Sequence, residues 1–284
     1  MIQNLRQIKS RIKSIENTKK ITRAMEMVAA AKLNRVKARF YAFHTYFSKL
    51  ETILKNAMAD LQTYGHPLLK IRTDVKRTLV CIITSDTGLC SAYNHNIINA
   101  ADEFLKSYDK KRIRLITIGK EAYSYFKPRE YIIENSYLGL GGRYSQKLST
   151  EIFDYLTDMF LNGAADEIYI VYTYFSSSLR HVARIEKLLN IEIESQDQKF
   201  YIFEPDLKIV SDKLIPSYLL NKISFILLSS FTSEHSARMF AMKIATDNAE
   251  DLIDTLTLLR NKVRQGVITK EVLEIAMSAE ALKG

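Results

Sequence analysis

Neither glycine nor proline occurs in the first 64 residues. Between 217 and 284 only Gly266 and Gly284 are present, so all four prolines and seven of the nine glycines fall between 65 and 216. These two residue types are the strongest breakers of regular structure. The chain therefore divides into a long helix over 1–64, a turn-rich domain over 65–215, and a second long helix over 216–284. The first helix runs toward the middle domain and the last runs away from it. If they pair, they pair antiparallel, and the last, being longer, extends past the first.

The first segment carries a heptad stripe. Leu5, Ile8, Ile12 and Ile15, then Ala29, Leu33, Val36, Phe40, Phe43, Phe47, Leu50, Leu54, Ala57 and Leu61, keep one alternating three–four spacing. That spacing predicts a left-handed coiled coil. Some sixty helical residues span roughly 90 Å, more than a compact domain of this size needs. In the same frame, positions 19, 22 and 26 are Lys, Thr and Glu, so the stripe is interrupted within KKITRAMEMVAAAKLNR (19–35). There the helix is apolar on almost every face from Ala24 to Ala31, with Met25 and Met27 about two hundred degrees apart around it. A surface helix shows one apolar stripe, so this stretch needs neighbours on several sides. In the last segment, Ala241, Ala245, Asn248, Leu252, Thr255 and Leu259 read as a small, rather polar stripe, and Gly266 marks a position where the helix can bend.

The middle alternates strand and helix patterns. Residues 78–84, 112–118, 130–136, 167–175 and 183–194 read as strands; 96–108, 122–126 and 145–161 read as helices. Such alternation predicts an α/β sheet domain. The fold expected is α/β, with a long antiparallel coiled coil of the terminal helices and an inserted Rossmann-like domain.

Charge is unevenly placed. Residues 1–39 hold eleven basic and two acidic side chains, leaving thirty of each sign in the other 245. A basic arm implies an acidic partner: nucleic acid, anionic lipid or an acidic protein surface. A basic coiled coil that binds nucleic acid is one reading, but Ile2, Leu5, Ile8, Ile12 and Ile15 run through the basic segment and commit one face to a protein neighbour. A lipid surface meets the same difficulty, because the apolar stripe continues far past the basic part. No uninterrupted apolar run reaches the roughly 18 residues of a membrane span, and the first residues lack the apolar core of a secretory signal. Cys81 and Cys90 match no CxxC or zinc spacing, which fits a reducing compartment.

Catalytic patterns are sparse. SDTGLCSAYN (85–94) follows the first strand and precedes a helix, the place where α/β domains hold phosphates. It has one glycine and neither phosphate-loop motif, so it reads as a structural turn, with a nucleotide-using enzyme as a rival. Gly139, Gly141 and Gly142 read as a flexible loop. The histidines at 44, 66, 95, 181 and 235 have no metal spacing, and Cys90 with His95 lacks an orienting third group. No catalytic residue, cofactor or metal is expected.

IENTKKITRAMEMVAAAKLNR (15–35), SDTGLCSAYN (85–94), ARMFAMKIATDNAEDLI (237–253) and NKVRQGVITKEVLEIAMSAEAL (261–282) together resemble the gamma-subunit family of F-type ATP synthases. The resemblance covers all three parts of the chain, and the two terminal blocks are specific. It implies a rotor shaft without catalytic groups: the coil turns inside a hexameric ring of alpha and beta subunits, and the α/β domain meets the epsilon subunit and the membrane ring of c subunits. Ion flow turns the rotor and drives the beta sites through different nucleotide affinities. By the same resemblance, Lys20, Arg23, Met25, Lys32, Arg35, Arg238, Arg264, Gln265, Thr269, Glu271 and Glu274 contact the ring. Val272, Ile275, Met277 and Leu282, with Ala279, sit in its apolar bearing. Tyr201, Phe203 and Glu204, with Pro205 and Asp206, lie near the c ring and epsilon.

Two positions depart from the family pattern: Ser278 stands where it has glycine, and Phe203 where it has tyrosine. No regulatory cysteine insertion of the chloroplast type is present. With no transit peptide, the expected location is the cytoplasmic face of a bacterial inner membrane, held there by partners without insertion into lipid and without nucleic acid.

Overall fold

The computed structural model describes residues 2–72, 75–178, 180–192 and 203–281. Helix α1 is Ile2–Tyr64 and helix α5 is Leu207–Ala281. Between them lie β1 (Thr78–Ile83), α2 (Tyr93–Lys106), β2 (Ile113–Ile118), α3 (Lys120–Phe126), β3 (Ile133–Tyr137), α4 (Gln146–Leu161), β4 (Glu167–Phe175) and β5 (His181–Leu189). The chain forms two compact units: Met1–Ala29 with Met239–Gly284, and Ala30–Arg238.

In the larger unit the strand order is β3-β2-β1-β4-β5. β1, β2, β3 and β4 run parallel, and β5 pairs antiparallel at the edge. β1 is buried at every position, as a central parallel strand covered on both faces requires. Successive side chains point to opposite faces. Val80 and Ile82 join Ile97, Ala101, Ala122 and Phe126 of α2 and α3. Leu79, Cys81 and Ile83 join a core with Ile152 and Leu156 of α4, Leu54 and Leu61 of α1, and Ile215 and Ile226 of α5. Within this unit α1 and α5 run antiparallel. Phe47 stacks on Phe225 at 5.1 Å and on Tyr218 at 5.6 Å, and Phe40 on Phe225 at 5.6 Å.

Every position of the α1 stripe from Leu5 to Leu61, including its interruption, is buried or half-buried. At the interruption the interface turns polar on both sides. The Thr22 and Thr246 hydroxyls lie 2.8 Å apart, both threonines buried, and Lys19 pairs with Glu250 at 2.9 Å. These two pairs, in the smaller unit, again set α1 and α5 antiparallel.

Three expectations are corrected. The face that α5 buries in the smaller unit is Met242, Thr246 and Ala249, continued by the half-buried Ile253, Leu256 and Val263. That is one residue, about 100° of helix, away from the expected stripe, whose Leu252 and Leu259 are exposed. The pairing with Thr22 sets this face, and the small residues at 241 and 245 do not. Second, α5 begins at Leu207, ahead of Pro216, which lies inside it. The Asp206 carboxylate accepts the Ile209 N–H at 2.8 Å and caps this earlier start. Third, the fifth strand is His181–Leu189 where 183–194 was expected; 193 and 194 lie outside the described residues. One 18-residue window of α5 is long and apolar enough to cross a membrane, and 67% of it is buried inside the protein. A core helix accounts for it.

Two stability predictions follow from the helices. Thr22→Val and Thr246→Val should each cost about 1 kcal/mol, and the double variant less than their sum, because either single change already removes the bond between the hydroxyls, while the remaining hydroxyl keeps its backbone carbonyl, Lys19 or Met242. Urea unfolding at low protein concentration reads this; strict additivity would mean that the hydroxyls do not interact. Gly266 stays within α5, with open space where a Cβ would sit. Gly266→Ala should therefore raise stability by about 0.5–1 kcal/mol. An unchanged or lower urea midpoint would show that the bend expected from sequence is used in solution.

Candidate functional site

The smaller unit presents an outward surface that water covers poorly. Opposite the Thr22–Thr246 seam, Ile21, Met27 and Val28 of α1 and Ile244 of α5 are all exposed. Met25 is half-buried and Ala29 fully buried, so the helix carries apolar side chains both toward its partner and away from it. Lys20 and Arg23 are exposed among them. Farther along α5, Arg264, Gln265, Thr269, Glu271 and Glu274 are exposed. Residues 271–281 are exposed at every position, with Val272, Leu273, Ile275 and Met277 among the largest apolar side chains in water. Full burial of one such side chain is worth about 1.5–3 kcal/mol. A contiguous exposed run of them marks an interaction surface. A phosphate backbone would leave these side chains in water. Leu282 and Tyr201 lie outside the described residues.

In the larger unit the expected residues divide. Arg35 is exposed, but Lys32 donates to the Gly141 carbonyl at 3.2 Å. Arg238, expected at the ring, turns inward. It is 9% exposed, pairs with Glu234 at 2.7 Å, and donates to the Thr87 carbonyl at 2.8 Å and to the Thr87 hydroxyl at 3.1 Å. Phe203 is half-buried against the core; Glu204 and Pro205 are exposed, and Asp206 caps α5.

Loop 85–94 closes on itself. Asn94 accepts the Ser85 N–H at 3.0 Å and donates to Cys90 Sγ at 3.2 Å. Burial pushes the Cys90 thiol up and Cys81 up to about 12, so neither is a thiolate near neutral pH. His95 is engaged with Asn99 at 2.9 Å. The strand order reverses between β1 and β4, and doubly wound folds bind ligands in the crevice at that point. Here the chain fills it. Ser229 of α5 accepts the Phe175 N–H at 2.8 Å and donates to the Thr173 carbonyl at 3.2 Å. Tyr93 donates to the Ser230 carbonyl at 3.2 Å. With Arg238 on loop 87–88, α5 stands where a nucleotide would lie.

The glycines at 139–142, expected to be a flexible loop, are pinned. The Asp86 carboxylate accepts the N–H groups of Gly139 at 2.9 Å and Gly141 at 2.7 Å. A Cβ on Gly142, whose φ is +66°, would lie 2.6 Å from the His235 ring. Sequence reasoning missed Glu234 and His235. The polar run SSFTSEHSAR (229–238) with its i,i+4 Glu–Arg pair was the available signal, but it cannot say that all its residues are buried. Burial pushes the Glu234 carboxyl up against the pull of Arg238, and pushes His235 down to about 4. The neutral His235 ring therefore carries its hydrogen on Nε2, which donates to the Gly142 carbonyl at 3.0 Å.

The family described as ATP synthase matches residues 4–282. The chain is 41% identical to the ATP synthase gamma chain of Protochlamydia amoebophila and 37% identical to that of Chlorobium phaeobacteroides, each over 99% of both chains. Its fold is similar to a chain of the Euglena gracilis mitochondrial ATP synthase assembly of OSCP, F1 and c-ring (TM-score 0.70, 16% identity, 99% of this chain and 95% of that one). It is also similar to a chain of the Tetrahymena thermophila mitochondrial ATP synthase central stalk and c-ring (TM-score 0.61, 21% identity, 79% and 99%). Relatives matched end to end at this identity, on a fold of paired terminal helices around an α/β sheet, place this chain in the ATP synthase gamma chain family.

Proposed function

We propose that this chain is the central rotor shaft of an F-type ATP synthase. It couples transmembrane ion flow to ATP synthesis, or the reverse, at catalytic sites on the beta subunits of an alpha/beta ring. The observation that carries this reading is the coil surface of the smaller unit, apolar on its outward faces and basic beside them, on a chain of this family. The first 39 residues carry eleven basic side chains against two acidic ones, and like charges crowded on one helix repel one another. An acidic partner offsets that cost, and the seam with α5 supplies only Glu250 among the pairs described.

In this reading Lys20, Arg23 and Arg35 face acidic loops of the ring, and Met25 with Met27 and Val28 is collared by it. Arg264, Gln265, Thr269, Glu271 and Glu274 contact its upper part. Val272, Ile275 and Met277, with Leu282, run in the apolar bearing. Glu204, with Tyr201 and Phe203, meets the c ring and epsilon. The chain performs no chemistry of its own. It works at the cytoplasmic face of a bacterial membrane, held by its partners.

Gentle purification of the tagged chain from its own cells tests the reading. The expected particle hydrolyses ATP and carries three copies each of two large subunits per copy of this chain, as a hexameric ring around one shaft requires. A lone chain, or one that brings down nucleic acid, overturns it. Within that complex, Met25→Lys should leave assembly intact and lower ATP formed per ion translocated, because it puts a charge among apolar neighbours that move past it. Equal loss of assembly and coupling would assign Met25 to packing alone.

A further inference from the structure

One buried charged cluster lies within the larger unit. Glu234 is 2% exposed and Arg238 9%, and His235 is buried beside them. All three sit within the last five residues of α5 that belong to the larger unit; Lys32 is the third residue of α1 that does. Through them both helices are bonded to loops at the carboxyl ends of the strands. Arg238 reaches Thr87 and Gly88 after β1, His235 reaches Gly142, and Lys32 reaches Gly141 after β3. Asp86 ties the two loops together through Gly139 and Gly141.

Stability alone does not explain such a cluster. An apolar pair of the same volume is often as stable as a buried ion pair, or more so. Here Glu234 Oε2 and His235 Nδ1 are buried without a partner. What directional bonds add over apolar contact is angle. Packed aliphatic side chains can exchange one groove for the next, whereas a planar guanidinium fork held by a carboxylate and two loop residues fits one rotation of its helix.

We propose that Glu234, His235 and Arg238, with Lys32 and Asp86, form a rotational latch that fixes α1 and α5 in angle against the loops of the sheet, so that torque on the α/β domain turns both helices. The proposal rests on the rotor reading and deepens it. These are positioning residues, and the chemistry stays with the partner subunits.

The test uses the whole ATP synthase in sealed vesicles, with Glu234→Gln and with the double variant Glu234→Gln/Arg238→Met, which removes both charges at nearly constant volume. Three quantities are read: ATP hydrolysis, ions pumped per ATP, and the angular spread of a bead fixed to the α/β domain with the ring immobilised. The latch predicts assembly and hydrolysis at the parental level, several-fold fewer ions pumped per ATP in the double variant, and a wider bead distribution. Glu234→Gln, which keeps hydrogen bonding to Arg238, should lie between the double variant and the parent. Unchanged pumping and spread overturn the latch. Failed assembly of both variants, or hydrolysis and pumping falling together, also overturns it in favour of a folding role. A parent complex without a ring, or one that does not pump, would instead overturn the rotor reading.

Discussion

Residues 223–238 of α5 are buried on every side, and the larger unit is organised around that fact. A helix without a solvent face must satisfy each polar side chain from its neighbours or leave it orphaned. Arg238, His235 and Ser236 reach the loops after β1, β3 and β4, Ser229 bonds the end of β4, and Glu234 accepts from Arg238 within the helix. Those loops are where a doubly wound domain would otherwise hold a ligand. One segment thus completes the core, occupies the crevice and binds the terminal helix to the sheet. The fold keeps the architecture of a nucleotide-binding domain and gives its binding position to its own chain.

The two units answer different demands with the same two helices. In the larger, α1 and α5 bury aromatic rings against each other and the sheet, and dispersion and area removed from water hold them. In the smaller, the seam mixes apolar Ile12 and Met242 with small and polar Thr22, Ala29, Thr246 and Ala249, while Ile21, Met27, Val28 and Ile244 are left exposed. A two-helix seam of that kind contributes little stability by itself. Its rationale lies in the surface it leaves free, which suits a shaft gripped by a protein ring.

Much of this was legible in advance for a physical reason. Glycine and proline are absent where backbone must stay helical, and a heptad is periodic, so α1 and its interruption were read residue by residue. The strands were read because β1, β2 and β4 are apolar runs that no surface helix could carry. Where the period is weak, local pattern does not fix the buried face. The α5 stripe was displaced by one residue because 241–259 has small and polar residues on more than one face. Pro216 suggests a helix start because proline ends helices, yet Asp206 caps an earlier turn and Pro216 lies inside the helix. The glycines at 139–142 read as flexible because nothing local shows that Asp86, 53 residues before Gly139 and 55 before Gly141, accepts the N–H groups of those two.

The candidate surface divides along the same line. Lys20, Arg23 and the tail from Val272 to Met277, to which the resemblance points, are exposed, and Met25 is half-buried, because exposure at a helix face is a local property. Arg238 and Lys32 do not: their charge and helical position are those of surface residues, and only contacts with loops more than a hundred residues away in the chain turn them inward. Residue order alone specifies two long terminal helices, an α/β sheet domain between them, the basic arm and the resemblance to the family. Tertiary structure alone decided which face of α5 is buried, what fills the crevice and which charges are left for a partner, because those depend on groups far apart in the chain meeting at hydrogen-bond distance.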